Sequence, residues 1–283
     1  MTTRQVTVGV DGSLIAVRAL DRAADEAVLR GTALEIVYAV PDIDEAGPIL
    51  ASAVLRVRGR QPGLPVTARA ARGGPVQVLS RHGRDAALTV VGTRGLGGFA
   101  GLLFGSVSLR LAAHAHSPLL VVRGDHRPSA HGEVLLLGAE SEAGADAAAY
   151  AFEEAERRGT GLRILRTGRP RHLMPEQSAP VPAHREESSP AWQAGTEHAA
   201  PRFAVAGLRE KYSGVGVEAR AVRSGPAHAL LEATREAAVV VVGAHRRPNR
   251  LGPQLSPVAH ALLHHSHCPV VIVPTGQDSA STG

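Results

Sequence analysis

Gly92, Gly95, Gly105 and Ser106 hold the clearest chemical content of the chain. Two glycines stand three apart, and a Gly-Ser pair follows after nine intervening residues. The run before them, Leu88–Val91, is apolar and β-branched, as a buried strand requires. From Ser106 onward, Val107, Leu111 and Ala115 recur at helical spacing. The glycines therefore lie between the C-terminal end of a strand and the N-terminus of a helix. Free backbone N–H groups and the positive end of the helix dipole meet there, and together they attract an anion such as phosphate. A Cβ would hold the anion away, and loops of this kind need φ > 0. Ser106 can cap the helix or offer its hydroxyl to the anion, and Arg94 adds positive charge inside the loop. A second element points the same way. Val6–Val10 reads as a strand that ends in Asp11-Gly12-Ser13, with an acid at the edge where open α/β sheets bind ligands. Asp11 also suits a turn that leads into the next helix, and the two roles are compatible.

The elements that must position these residues alternate between strand and helix. In the first half, strands are expected at Gln5–Val10, Leu34–Ala39, Val66–Ala71, Leu88–Val91 and Leu119–Val122. Helices are expected at Leu14–Arg30, Pro48–Val57, from Pro75 to about Gly83, and at Ser106–Ala115, the second of them poorly patterned. Near-continuous apolar strands alternating with helices imply an α/β fold, with a parallel sheet covered on both faces. The pattern then recurs. Arg30-Gly31-Thr32 returns as Arg158-Gly159-Thr160, 128 residues on. Gly74-Pro75, Val90-Val91-Gly92 and the His-x-His-x-Pro run at His114–Pro118 return 151 residues on. One insertion in the second half accounts for the change of offset, and it falls at 168–201, which is rich in Pro, Ser, His and Arg and lacks periodicity. The expected organisation is a first domain at 1–127, a second at 131–275 that carries the flexible insertion, and a disordered tail at 276–283.

In the second half the phosphate-binding pattern is degenerate. Asp11 corresponds to Ala139, Gly95 to Arg246, Gly105 to Ser256 and Ser106 to Pro257, while Gly92 is kept as Gly243. The first half is thus the expected binding half.

Composition narrows the class. The 283 residues are 44% hydrophobic and only 3% aromatic, so the cores must be aliphatic. Cys268 is the single cysteine, which excludes an intrachain disulfide and suits a reducing compartment. No signal-like or membrane-spanning run is visible, so a soluble cytoplasmic protein is expected. The net charge of +5 is scattered among acids without an aromatic platform, which disfavours nucleic acid as a partner.

These motifs resemble the universal stress protein family in its ATP-binding branch. The family pattern Gly-x2-Gly-x9-Gly-(Ser/Thr) is met by Gly92, Gly95, Gly105 and Ser106, and its Asp-x-Ser after the first strand by Asp11 and Ser13. The resemblance spans nearly the whole chain. It implies two tandem Rossmann-like domains of the adenine nucleotide alpha hydrolase type, each with a five-stranded, mostly parallel sheet. It also implies ATP or ADP as ligand, with Mg2+ as a candidate companion. Asp11 would meet the adenine or ribose end and the backbone at Ala39 the adenine edge. Gly92 and Gly95 would pass beneath the ribose and phosphates. Gly105, Ser106 and Val107 would donate N–H groups to the outer phosphates, assisted by Arg94. Family members commonly pair through the last strand, so Leu119–Val122 and Val270–Val273 are expected to join the halves as an intramolecular pseudo-dimer, with further homo-oligomers open. A regulatory or sensor role in stress response, with an unknown protein partner, follows from the resemblance.

Catalytic equipment is sparse. There is no Walker lysine, no acid pair placed to hold Mg2+ beside the loop, no His-Glu-x-x-His and no Gly-x-Ser-x-Gly. No catalytic residue is assigned, and slow ATP hydrolysis or phosphotransfer on Asp11 and Ser13 is the alternative enzyme reading. A nucleotide-free interaction scaffold is the other alternative. His260, His264, His265 and His267 with Cys268 raise a zinc reading. Histidines at a helix C-terminus, where they meet the dipole, explain them better, and no metal site is assigned.

Overall fold

The computed structural model describes residues 4–93, 106–123, 132–137, 142–167, 199–222, 226–244 and 255–274. The first half runs β1 (Val6–Val10), α1 (Leu14–Leu29), β2 (Leu34–Val40), α2 (Gly47–Arg60), β3 (Val66–Arg72), α3 (Pro75–His82), β4 (Leu88–Gly92), α4 (Ser106–His114) and β5 (Leu119–Val122). The second runs β6 (Val134–Leu137), α5 (Glu142–Arg158), β7 (Leu162–Thr167), α6 (Ala199–Lys211), β8 (Val217–Val222), α7 (Pro226–Ala233), β9 (Val239–Ala244), α8 (Pro257–His265) and β10 (Val270–Pro274). Two expectations shift. The weakly patterned second helix extends to Arg60, and α6 begins at Ala199, inside the segment read as a loop. Among the described residues no helix is long and apolar enough to cross a membrane.

Helix α1 shows why the elements form where they do. Ala16, Ala19, Leu20, Ala23, Ala24 and Ala27 recur at helical spacing and are buried, and their small side chains let the helix lie close on the sheet. Ser13 caps its start by accepting the Ala16 N–H at 3.2 Å. At its end Gly31 takes φ +59°; its N–H reaches the Val28 carbonyl, and that of Thr32 the Ala27 carbonyl. This is a Schellman stop, which needs a residue free of Cβ strain at positive φ. Helix α5 ends identically, with Gly159 at φ +63° and N–H bonds from Gly159 to Glu156 and from Thr160 to Ala155.

The strands form one sheet in the order β3-β2-β1-β4-β5-β10-β9-β6-β7-β8. Every pairing is parallel except β5 with β10, so the two edge strands expected to need cover supply it to each other. Their register places Leu120 opposite Val271, Leu119 opposite Ile272 and Val121 opposite Val270. Under the 151-residue offset these pairs are reciprocal, so a pseudo-two-fold axis passes between Leu120 and Val271. Leu120, Val122, Val271 and Val273 enter the core beneath α1 and α5, while Leu119, Val121, Val270 and Ile272 enter the core on the other face. Both cores therefore run without a break from one half into the other.

The last turns of α1 and α5 meet on the same axis. Arg30 pairs with Glu26 on its own helix and with Glu154 across the axis at 2.7 Å, while Arg158 pairs with Glu154 and, across, with Glu26. The two carboxylates are 2% and 1% exposed. Arg22 adds a pair to Glu26 at 2.9 Å, and Arg30 donates to the Tyr150 hydroxyl at 2.8 Å. Burial opposes ionisation of Glu26, but Arg22, Arg158 and Arg30 outweigh it and hold the carboxyl at about 2, well below its ordinary 4.5.

Candidate functional site at the first-half strand ends

Strand β1 lies between β2 and β4, with Val10 opposite Tyr38 and Val8 opposite Val90. The C-terminal ends of three neighbouring parallel strands therefore carry Asp11, Ala39 and Gly92 to one edge of the sheet. That edge is where an open α/β sheet accepts a ligand. All three residues are half-buried.

The turn after β1 is built by its own side chains. Asp11 Oδ1 accepts the Ser13 N–H at 3.0 Å, Gly12 takes φ +83°, and the Ser13 hydroxyl is committed to the α1 cap. Asp11 is thus both turn-former and edge acid, as the sequence allows. Gly92 carries a constraint of another kind. A Cβ there would lie 2.6 Å from Ile15 Cγ2 and 3.3 Å from the Ile15 carbonyl carbon and oxygen, because the first turn of α1 crosses the end of β4. The glycine is required by packing before any ligand is considered.

Two residues not singled out by sequence lock the end of β4. Thr93 is buried, and its N–H bonds the Val122 carbonyl at 3.0 Å. Ser108, also buried, donates from Oγ to the Thr93 carbonyl at 3.4 Å, tying the first turn of α4 to β4. The signal for them was a Thr directly after Gly92 and a Ser two residues beyond Ser106. Ser106 opens α4, and Val107 is half-buried against the core. Arg94, Gly95 and Gly105 lie outside the described residues.

The corresponding edge of the second half is spent on its own structure. Ser256, in the place of Gly105, caps α8 by accepting the Ala259 N–H at 3.1 Å. Pro257, in the place of Ser106, has no N–H to give. Two donors of the first turn are thereby unavailable to an anion. The histidines of α8 stack on one another, with the His260 and His264 ring centroids 4.4 Å apart. Burial pushes the Cys268 thiol up to about 11, with its sulfur against Ser266 Oγ, which favours an inert core thiol over a metal ligand. Among the described residues no three His, Cys, Asp or Glu side chains group to hold a metal.

The universal stress protein family model matches residues 2–123 and again 133–274. The chain belongs to the universal stress protein family. Its full length is similar to curated members: a universal stress protein of Mycobacterium bovis is 30% identical over 316 residues, covering 99% of this chain and 98% of the relative. One from Mycolicibacterium smegmatis is 30% identical over 294 residues, covering 95% and 96%. The crystal structure of a universal stress protein from Archaeoglobus fulgidus covers 96% of this chain and 98% of its own, at 16% identity and a TM-score of 0.71, which supports the fold. Both halves are thus universal stress protein repeats, although only the first keeps the complete glycine pattern.

Proposed function

We propose that this universal stress protein is an adenine-nucleotide-responsive regulatory module that binds one ATP or ADP in its first half and none in its second. The observation that carries this reading is the meeting of Asp11, Ala39 and Gly92 at the C-terminal edge of β1, β2 and β4, from which the Gly92, Gly95, Gly105, Ser106 spacing leads into the N-terminus of α4. An α4 N-terminus tied to β4 by Ser108 and Thr93 presents its N–H groups from a fixed position, as phosphate binding needs. In this reading Asp11 meets the ribose or adenine end and the Ala39 backbone the adenine edge. Gly92 and Gly95 run beneath the phosphates. Gly105, Ser106 and Val107 supply N–H donors, with Arg94 and, where present, Mg2+ balancing charge. Binding without a catalytic lysine or acid pair suits a sensor in the cytoplasm, whose nucleotide state is read by a protein partner.

Mass spectrometry of nucleotides released on denaturation, followed by calorimetric titration of the stripped protein with ATP, ADP and AMP, tests the reading. One site per chain, lost in Gly105→Val with the fold kept, is the expected result. Two sites per chain would overturn the assignment of the second half. A folded protein that binds no nucleotide would leave the interaction scaffold as the better description.

A further inference from the structure

The beginnings of the first-half strands border a cavity of about 580 Å3 at the junction, on the rim opposite Asp11, Ala39 and Gly92. Arg4, Thr32, Ala87 and Pro118 stand just before β1, β2, β4 and β5, and the second half completes the wall with Tyr150 of α5 and Val273 of β10. The five residues of β1, at about 3.3 Å each, keep the cavity roughly 17 Å from the first-half strand ends. Its carboxylates are matched, whereas two of its donors are not. Arg22, Arg30, Arg157 and Arg158 share Glu26, Glu153 and Glu154. Asp146 and His116, which also line the cavity, are engaged as well. The Thr32 hydroxyl donates to the Arg4 carbonyl at 2.9 Å, and the Ser117 hydroxyl meets that of Thr89 at 3.2 Å. The Arg4 guanidinium, by contrast, has no hydrogen bond or ion pair among the described residues. Tyr150 accepts from Arg30 at 2.8 Å, but its own O–H donates to none of them. Burial, with Glu154 beside it, pushes that phenol above its ordinary 10, so the proton stays on the oxygen. Neither donor has a counterpart across the pseudo-two-fold axis. Under the 128-residue offset Tyr150 corresponds to Arg22, which pairs with Glu26. Arg4 corresponds to Gly132, where a Cβ would lie 2.5 Å from the Ala238 nitrogen and the Glu236 carbonyl oxygen, so no side chain fits.

We propose that this cavity is a second ligand site, which takes one small oxyanion, a carboxylate or a phosphate monoester, on the Arg4 guanidinium and the Tyr150 hydroxyl. Unspent donors beside matched carboxylates call for an acceptor, and a guanidinium presents two parallel N–H groups to either kind of oxyanion. The neutral hydroxyl adds a further bond. Ala87, Pro118 and Val273 give an apolar wall for the uncharged body of the ligand, and the volume lies in the range of small-molecule sites. Arg4 belongs to the first half and Tyr150 to the second, so the bound anion fastens the halves to each other and stabilises the whole chain. The site is separate from a nucleotide on the other rim and does not depend on one.

Calorimetric titration of the full chain with phenyl phosphate and with benzoate, in buffer free of other oxyanions, tests the proposal. At least one probe should occupy a single such site per chain and raise the melting temperature as it does so. Phenyl phosphate alone would identify the phosphate monoester as the source, benzoate alone the carboxylate, and both together the oxyanion that they share. Arg4→Ala should weaken binding roughly tenfold or more, yet melt with the parent when no probe is present, because Arg4 is exposed and its guanidinium unpaired. Tyr150→Phe should weaken binding roughly threefold. Ala87→Phe, which fills the space from the apolar side and removes no polar group, should abolish it. A parent chain that binds neither probe, or binding that persists unchanged in both Arg4→Ala and Ala87→Phe, overturns the proposal. If Ala87→Phe fails to fold, Arg4→Ala decides alone, and undiminished binding in it overturns the proposal.

Discussion

The close approach of α1 to β4 allows a decisive test of Gly92. In Gly92→Ala the new Cβ meets Ile15 Cγ2 at 2.6 Å and the Ile15 carbonyl group at 3.3 Å. Carbon atoms pack best at about 3.5–4.0 Å, so the side-chain overlap approaches 1 Å while the backbone overlap is a few tenths. Ile15 is β-branched in the first turn of a helix and has one strongly preferred rotamer, so its Cγ2 cannot swing clear cheaply. The Ser13 cap holds the backbone of that turn in place. Overpacking of this kind costs about 1–3 kcal/mol, which lowers the melting temperature by roughly 2–10 °C in a chain of this size. Ile15→Ala removes Cγ2 and leaves only the smaller backbone contact. It should destabilise the parent yet cost nothing, or stabilise, in the Gly92→Ala background, giving a coupling of about 1–3 kcal/mol in a double-mutant cycle read by calorimetric melting. Equal melting of Gly92→Ala and parent, or strictly additive losses, would refute the reasoning. Nucleotide titration of the double variant then separates the roles: recovered stability without recovered affinity would assign Gly92 a direct part in the ligand site.

Other consequences follow from the caps and the junction. Ser13→Ala removes the α1 cap and should cost about 1 kcal/mol, measured by urea unfolding, with a parallel loss of nucleotide affinity because the Asp11 turn is tied to the same residue. Arg30→Ala leaves Glu26 and Glu154 short of a partner and should destabilise by about 3–5 kcal/mol in the same assay, the largest single loss on α1. In acid the sign is set by the depressed Glu26 carboxyl. Its stabilisation is complete above the ordinary 4.5 and is lost as pH falls toward about 2. The urea midpoint should decline across that window, and Glu26→Gln should be less stable at neutral pH but flatter in acid.

The two offsets, 128 and 151, made the duplication legible, and the apolar runs at Leu119–Val122 and Val270–Val273 marked the strands that join the halves. Once those strands pair antiparallel, the reciprocal register of Leu120 and Val271 is the natural outcome of equivalent positions meeting about a two-fold axis. Arg30-Gly31-Thr32 and its copy were visible as a repeat, but their meaning was not. The Schellman stop is local and readable, whereas the partners of Arg30 lie 120 and 124 residues away at Tyr150 and Glu154. Helix α2 was underestimated because only Ala53 and Val57 of it are buried; its far end is held by Arg56 on Asp21 and, just beyond, by Gln61 on Asp25, polar contacts that leave no hydrophobic period. At the candidate site, the glycine spacing and Asp11 were apparent from residue types. The clash that forbids a side chain at Gly92 was not, since it depends on the angle at which α1 crosses β4.

The reversal of strand direction between β5 and β10 gives the molecule two unlike rims. On the rim where Asp11, Ala39 and Gly92 stand, the second half shows the beginnings of its strands at Val134, Leu162, Val217 and Val239; its own strand ends face the opposite way. On the function proposed above, a partner reading the first-half loops would meet, on the same rim, the strand beginnings of the second half rather than a second set of strand ends. Duplication has here produced a molecule with a front and a back, because the strand ends of its two copies open on opposite rims.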